Sequence, residues 1–287
     1  QVLYINGHDA EQAAKAIEEA KAETNRPTLV VARTHIGKGS PHKVDSPDVH
    51  GAPLGADEVA ATKKALDWPE EPTFYVPDEV RELFAARQKE LDEAYEEWQT
   101  ALARWEKANP ELAAQRKAAM NKVLPDDLEE QLLSALSGKA DATRRISGQV
   151  IQKIHELLPY FVGGSADLAP STSTLMKQAE DIGPGHFSGH NFHFGVREHA
   201  MGSILNGIAL YGGFIPFGAT FLVFADYMRP PVRLSNIMGV QVVYVWTHDS
   251  IFVGEDGPTH EPVEQVASLR LIPGMKVMRP ADGPEVA

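Results

Sequence analysis

Val240–Gln241–Val242–Val243–Tyr244–Val245–Trp246 runs straight into Thr247–His248–Asp249–Ser250, and Gly254–Glu255–Asp256–Gly257–Pro258–Thr259–His260–Glu261 follows within a few residues. The first stretch is dense in β-branched and aromatic residues, so it reads as a buried strand of an α/β protein. In open α/β sheets, ligands collect just beyond the carboxyl ends of the strands. The hydroxyl, imidazole and carboxylate groups that follow Trp246 exceed what a structural loop needs. They mark a candidate substrate site, although residue types alone name no reaction.

Working outward, Tyr160–Val162 reads as a short strand entering Gly163–Gly164–Ser165–Ala166–Asp167. Glu198 to about Tyr211 has a helical pattern, stopped by Gly212–Gly213. Glu198 follows Arg197 at a strand-to-helix junction, where the helix dipole favours a carboxylate. On the residues alone it is equally a plain helix-start acid. Phe221, Phe224 and Tyr227 stand at i, i+3 and i+6, which predicts one helical face packed into the core. Lys276–Arg279 reads as a further short strand, and Pro280–Ala281–Asp282 opens a helix.

The first 71 or so residues also alternate between strand and helix. Asp9 with Gln12 resembles a capping box, and Ala13, Ala14, Ile17 and Ala20 follow at helical spacing. Thr28–Arg33 predicts a buried strand. The loop His35–Ile36–Gly37–Lys38–Gly39–Ser40 comes next, and its glycines would let backbone amides approach an anion. Its spacing is not that of a Walker loop, and a tight turn is the default reading. From about 72 to 125 the chain is charged and helical. Phe84, Leu91, Tyr95, Trp98, Leu102 and Trp105 form one stripe, predicted to pack on neighbouring elements. Pro110 should end or kink that helix.

The formal net charge is −13, which argues against a nucleic-acid or anionic-membrane surface. It leaves room for a small phosphorylated substrate held by a few local cations. There is no cysteine, which excludes disulfides and thiolate metal sites and fits a cytoplasmic protein. No run of about 18 apolar residues is present, and the N-terminus carries no signal pattern. The chain opens on Gln1 rather than Met and closes inside a predicted helix, so it is expected to begin and end within a larger architecture. His186, His190 and His193, with His199 beyond, echo metal-ligand spacing but lack a cysteine or carboxylate pair. Ordinary loop hydrogen bonding is expected there, and no metal.

Four motifs, in order, carry a family resemblance: His50–Gly51–Ala52–Pro53–Leu54–Gly55, Gly163–Ser171 (GGSADLAPS), Gly195–Val196–Arg197–Glu198, and Gly254–Gln265 (GEDGPTHEPVEQ). Together they resemble the transketolases over nearly the whole chain. The resemblance implies a parallel-sheet thiamine-diphosphate-binding fold. Residues 1–70 would be the C-terminal end of a diphosphate-binding domain, 71–130 a helical linker, and 131–287 a pyrimidine-binding domain, incomplete at its C-terminus. The implied activity is reversible transfer of a two-carbon ketol unit from a ketose phosphate to an aldose phosphate through a thiamine-diphosphate carbanion, in the pentose phosphate pathway. Dihydroxyacetone synthase and deoxyxylulose-phosphate synthase are related alternatives. A catalytically incomplete assembly module is another, because the family's metal-binding segment is expected upstream of this chain.

The same resemblance implies residue roles. Glu198 matches the acid on the aminopyrimidine nitrogen of thiamine diphosphate, and Phe221, Phe224 and Tyr227 match the aromatic pocket around that ring. Ile36 and His50 match contacts near the cofactor, with His50 also near the reacting donor. Asp167 matches a carboxylate at the cofactor and subunit interface. Asp256 and His260 match readers of the sugar hydroxyls, and Arg144, Ser171 and His248 match the holders of the substrate phosphate. Mg²⁺ or Ca²⁺ is the implied metal, with no ligand in this chain. A homodimer with shared active sites is the implied assembly.

Overall fold

Asp9 starts the first helix through its carboxylate, which accepts the N–H groups of Glu11 and Gln12 at 3.0 and 3.1 Å. Gln12 does not complete a capping box. Its carbonyl oxygen takes the Asn6 N–H instead and ties the helix back to the preceding strand. In this computed structural model all 287 residues are described, in two units, Gln1–Glu97 and Trp98–Ala287. In the first unit, β1 (Val2–Asn6), α1 (Ala10–Ala22) and β2 (Leu29–Arg33) make a parallel pair with Val2 opposite Leu29. The strand expected at 28–33 is there, but it is not buried. With two strands both are edges, and Val2, Tyr4, Leu29 and Val31 are exposed. A Gly- and Pro-rich loop leads to α2 (Ala56–Ala65).

α3 (Asp78–Ala108) is a single helix of 31 residues. It stops before Asn109, and Pro110 takes the first position of α4 (Pro110–Met120), where its missing N–H costs nothing. The aromatic stripe of α3 lies on one face, as its spacing requires. Its packing was overestimated, because Phe84, Leu91, Tyr95 and Trp98 are each about half exposed or more and no residue of the helix is buried.

The second unit continues through α5 (Leu128–Ser134), α6 (Thr143–Leu157), β3 (Phe161–Ser165), the short α7 (Ala169–Thr172), β4 (Asn191–His193), α8 (Glu198–Tyr211), β5 (Ile215–Phe221), α9 (Ala225–Met238), β6 (Val243–Thr247), α10 (Gln265–Arg270) and α11 (Gly283–Val286). Four parallel strands lie in the order β4-β3-β5-β6. β3 and β5 are central and buried along their whole length. One cluster joins Met201 and Leu205 of α8 to Met228 and Val232 of α9. A second joins Ile151 and Leu158, at α6, to Phe161 and Phe217 of the sheet. α8 and α9 meet closely at Gly202, where a Cβ would lie 2.8 Å from Pro231 Cγ.

Two expectations are corrected here. β6 is shorter than 240–246 and only half-buried, because it forms the edge of the sheet. Lys276–Arg279 forms no strand; the segment pairs with no ladder, and Arg279 spends its side chain on Asp249.

Candidate functional site

Because the four strands are parallel, they all end at one edge, and the segments leaving them converge there. After β3 comes Asp167, exposed and at φ 64°, a backbone region few non-glycine residues adopt. After β4 the chain turns at Gly195, and Glu198 begins α8. The residue is largely buried, with 8% exposed, and its carboxylate oxygens accept no protein hydrogen bond but keep contact with solvent. It sits in the first turn of the helix, where the helix dipole favours a carboxylate.

After β5 the three aromatics come in succession, though not on one helix. Phe221 closes β5, Phe224 ends a single 3₁₀ turn (Leu222–Phe224), and Tyr227 lies in the first turn of α9. They still stack serially, Phe221 on Phe224 at 5.8 Å and Phe224 on Tyr227 at 6.0 Å. Phe221 is buried and Tyr227 is 65% exposed, so this is an open aromatic wall rather than the predicted core face.

After β6, His248 adopts φ 54° and lays its ring on Phe221 at 3.8 Å. His260 sets its ring edge-on to Phe224 at 5.3 Å. Burial pushes the His248 pKa below the ordinary histidine value. The nearby Arg144 guanidinium adds to that effect, and Asp256 and Asp249 oppose it. His248 is therefore a neutral hydrogen-bonding imidazole at pH 7. Beside it opens a cleft of about 540 Å³ lined by Arg144, Ser147, His248, Asp249, Asp256 and Arg279. Ser147 and Arg279 were not singled out from sequence. The only signal for Ser147 is its i+3 spacing from Arg144, which puts both on one face of α6.

Of the residues matched to family roles, Phe221, Phe224, Tyr227, His248 and His260 share one ring cluster. Arg144, His248 and Asp256 share the cleft. Ser171 lies exposed on α7 and does not line that cleft. Ile36 and His50 belong to the first unit, both exposed. The three loop histidines separate: His190 Nδ1 lies 3.2 Å from His155 Nδ1, His193 Nε2 lies 3.0 Å from Asp181, and His186 joins neither pair.

Two features of these units give tests. Thr220, in β5 opposite Trp246, has a side-chain oxygen that touches neither solvent nor a hydrogen-bond partner. Replacing it with the near-isosteric valine removes an unsatisfied hydroxyl, so Thr220→Val should raise unfolding stability by about 1–2 kcal/mol in urea titrations. In the first unit, Glu58 accepts the Ser40 hydroxyl, the His42 N–H and the His42 ring Nδ1–H, and these bonds pull its pKa down to about 2. Its folded pKa is depressed, so the stabilisation is complete above the ordinary value near 4.5 and is lost as pH falls through about 2. The His42 amide resonance should therefore hold its position down to about pH 3 and move with a midpoint near pH 2, not near 4.5.

The chain matches the transketolase thiamine diphosphate binding domain over residues 1–125 and the transketolase pyrimidine binding domain over residues 139–287. It is 50% identical over 289 residues to a transketolase of Bacillus subtilis, covering 100% of this chain and 43% of that relative. A solved transketolase from Leishmania mexicana superposes with a TM-score of 0.86 at 39% identity, over 100% of this chain and 43% of that one. A Pichia stipitis transketolase solved in complex with sedoheptulose-7-phosphate superposes with a TM-score of 0.83 at 39% identity, over 99% of this chain and 43% of that one. The chain thus spans less than half the length of these relatives, yet sequence and backbone follow them from end to end, and it belongs to the transketolase family.

Proposed function

We propose that this chain supplies the pyrimidine side of a thiamine-diphosphate site in a transketolase, an enzyme moving two-carbon ketol units between sugar phosphates. The observation that carries this reading is Glu198, a largely buried acid whose carboxylate accepts no protein hydrogen bond, at the same sheet edge as an open aromatic wall. A flat heteroaromatic ring with a basic nitrogen suits that pair of features. Phe221, Phe224 and Tyr227 would take its face, and Glu198 would share a proton with its nitrogen. When bound, thiamine diphosphate supplies the nucleophilic carbon and the electron sink for carbon–carbon cleavage. The protein's work is to hold, orient and protonate.

On the same reading Ile36, His50 and Asp167 serve the cofactor's other contacts. Asp256 and His260 read sugar hydroxyls near the reacting carbons. Arg144 and the neutral His248 donate to the substrate phosphate, and Ser171 joins them if α7 moves toward the cleft. Residues 1–70, 71–130 and 131–287 act as the end of a diphosphate domain, a linker and the pyrimidine domain. We assign the metal, Mg²⁺ or Ca²⁺, to ligands outside this chain. The expected assembly is a homodimer with shared sites, working in the cytoplasm in the pentose phosphate pathway.

The test is an assay of the natural protein with thiamine diphosphate and Mg²⁺, using a ketose phosphate donor and an aldose phosphate acceptor. Cofactor-dependent release of a shortened aldose phosphate supports the reading, and its absence in folded, cofactor-loaded protein overturns it.

A further inference from the structure

Residues 248–261 carry His248, Asp256 and His260, yet they form no helix and no strand. Their hydrogen bonds are almost all internal. Phe252 and Val253 bond to Ser250, Gly257 to Gly254, His260 to Gly257, and the two histidine rings to their preceding threonines. Ring contacts hold one side of the segment, His248 on Phe221 and His260 on Phe221 and Phe224. Beyond the strand end at Thr247, a single side chain from elsewhere in the fold makes polar contact with it. Arg279, thirty residues downstream, sets Nε 2.5 Å from Asp249 Oδ2 and Nη2 3.3 Å from the Asp249 carbonyl oxygen.

That contact falls on the residue next to His248, whose φ of 54° is costly for a side chain with a Cβ and persists only where the surroundings fix it. Arg279 grips both the side chain and the backbone of Asp249. It thereby restrains where the chain goes immediately after His248, which a charge at the carboxylate alone would not do. The same pair, with Ser250 and Phe252, borders both the cleft of Arg144 and His248 and a second, smaller one lined by Pro262 and Arg270.

We infer that Arg279 is a positioning residue: its two-point hold on Asp249 keeps the 248–261 segment seated so that the His248 ring stays on Phe221 beside Arg144. The inference rests on the reading that His248 meets substrate, but the seating itself is measurable without activity. The side chain that donates to a sugar phosphate is thus set by a residue thirty positions downstream of the loop it holds.

The experiment is NMR of the histidine ring protons in the 287-residue chain, for the unaltered protein, Arg279→Ala, Arg279→Lys and Asp249→Asn. In the unaltered protein His248 should show a ring-current shift from Phe221. Arg279→Ala should abolish that shift and move the His248 titration back toward the ordinary histidine range. Arg279→Lys keeps the charge but not the second contact, and it should fall between the two. Should the alanine variant not fold, the lysine and asparagine variants decide alone. In the natural protein, Arg279→Lys should raise KM for a phosphorylated donor about tenfold, equivalent to ~1.4 kcal/mol, with kcat little changed. An unmoved His248 signal in folded variants overturns the positioning role. A moved signal with no change in KM leaves the seating intact and removes the phosphate role of His248 instead.

Discussion

Glu198→Gln in the natural protein should lower kcat by about 10²–10⁴-fold, the range ascribed to a positioned general acid–base group. It should do so without lowering the unfolding temperature. The second expectation is the more discriminating one. Glu198 is largely buried at the start of α8, and its carboxylate receives no hydrogen bond from the protein. A neutral amide of the same size breaks no protein hydrogen bond in that position. The aromatic wall is untouched by the change, so affinity for thiamine diphosphate should fall far less than turnover does. Steady-state kinetics, cofactor titration by fluorescence and thermal unfolding on the same preparation separate the three quantities. Near-normal turnover in the glutamine variant would remove Glu198 from the chemistry. A large drop in unfolding temperature would show that the acid is a structural cap after all.

The sequence carried Glu198 to its place with little help. Its junction between a short β-rich stretch and a helical one is visible in the residues, and the helix runs from Glu198 to Tyr211 as read. The i, i+3, i+6 spacing of Phe221, Phe224 and Tyr227 was read as one helix, and it failed because the chain changes conformation twice in seven residues. The rings stack nonetheless, since a 3₁₀ turn between strand and helix keeps successive aromatics on one side. Burial was less legible than conformation. β2 is a strand as expected but is open, because burial is decided by how many neighbours a sheet has and not by the strand's own residues. Lys276–Arg279 has strand propensity without a ladder, and propensity cannot supply a partner. The roles at the site came from family resemblance; periodicity alone would have left the aromatic wall in the core.

The glycines of the GGS segment give the largest stability effect. β3 lies between β4 and β5, with Gly164 opposite both Phe192 and Gly218. A Cβ on Gly164 would overlap the carbonyl oxygen of Phe192 and sit 2.8 Å from its carbonyl carbon. A Cβ on Gly163 would meet the Phe217 ring, 2.6 Å from Cε1, as well as its carbonyl oxygen. These are backbone and central-ring obstacles, so no rotamer change relieves them, and β4 must leave β3. β4 has only three residues, and Glu198 follows five residues after its end, so displacement of the strand carries the acid with it. Gly164→Ala should therefore cost more than about 4 kcal/mol, beyond the range of ordinary substitutions. Gly207 is the control. It lies mid-helix in α8 with nothing within 4 Å of an added Cβ, so Gly207→Ala should stabilise by about 1 kcal/mol through helix propensity. Urea unfolding of both variants reads the contrast directly. A Gly164→Ala chain as stable as the Gly207→Ala one would mean that the close β3–β4 approach is not what sets the position of Glu198.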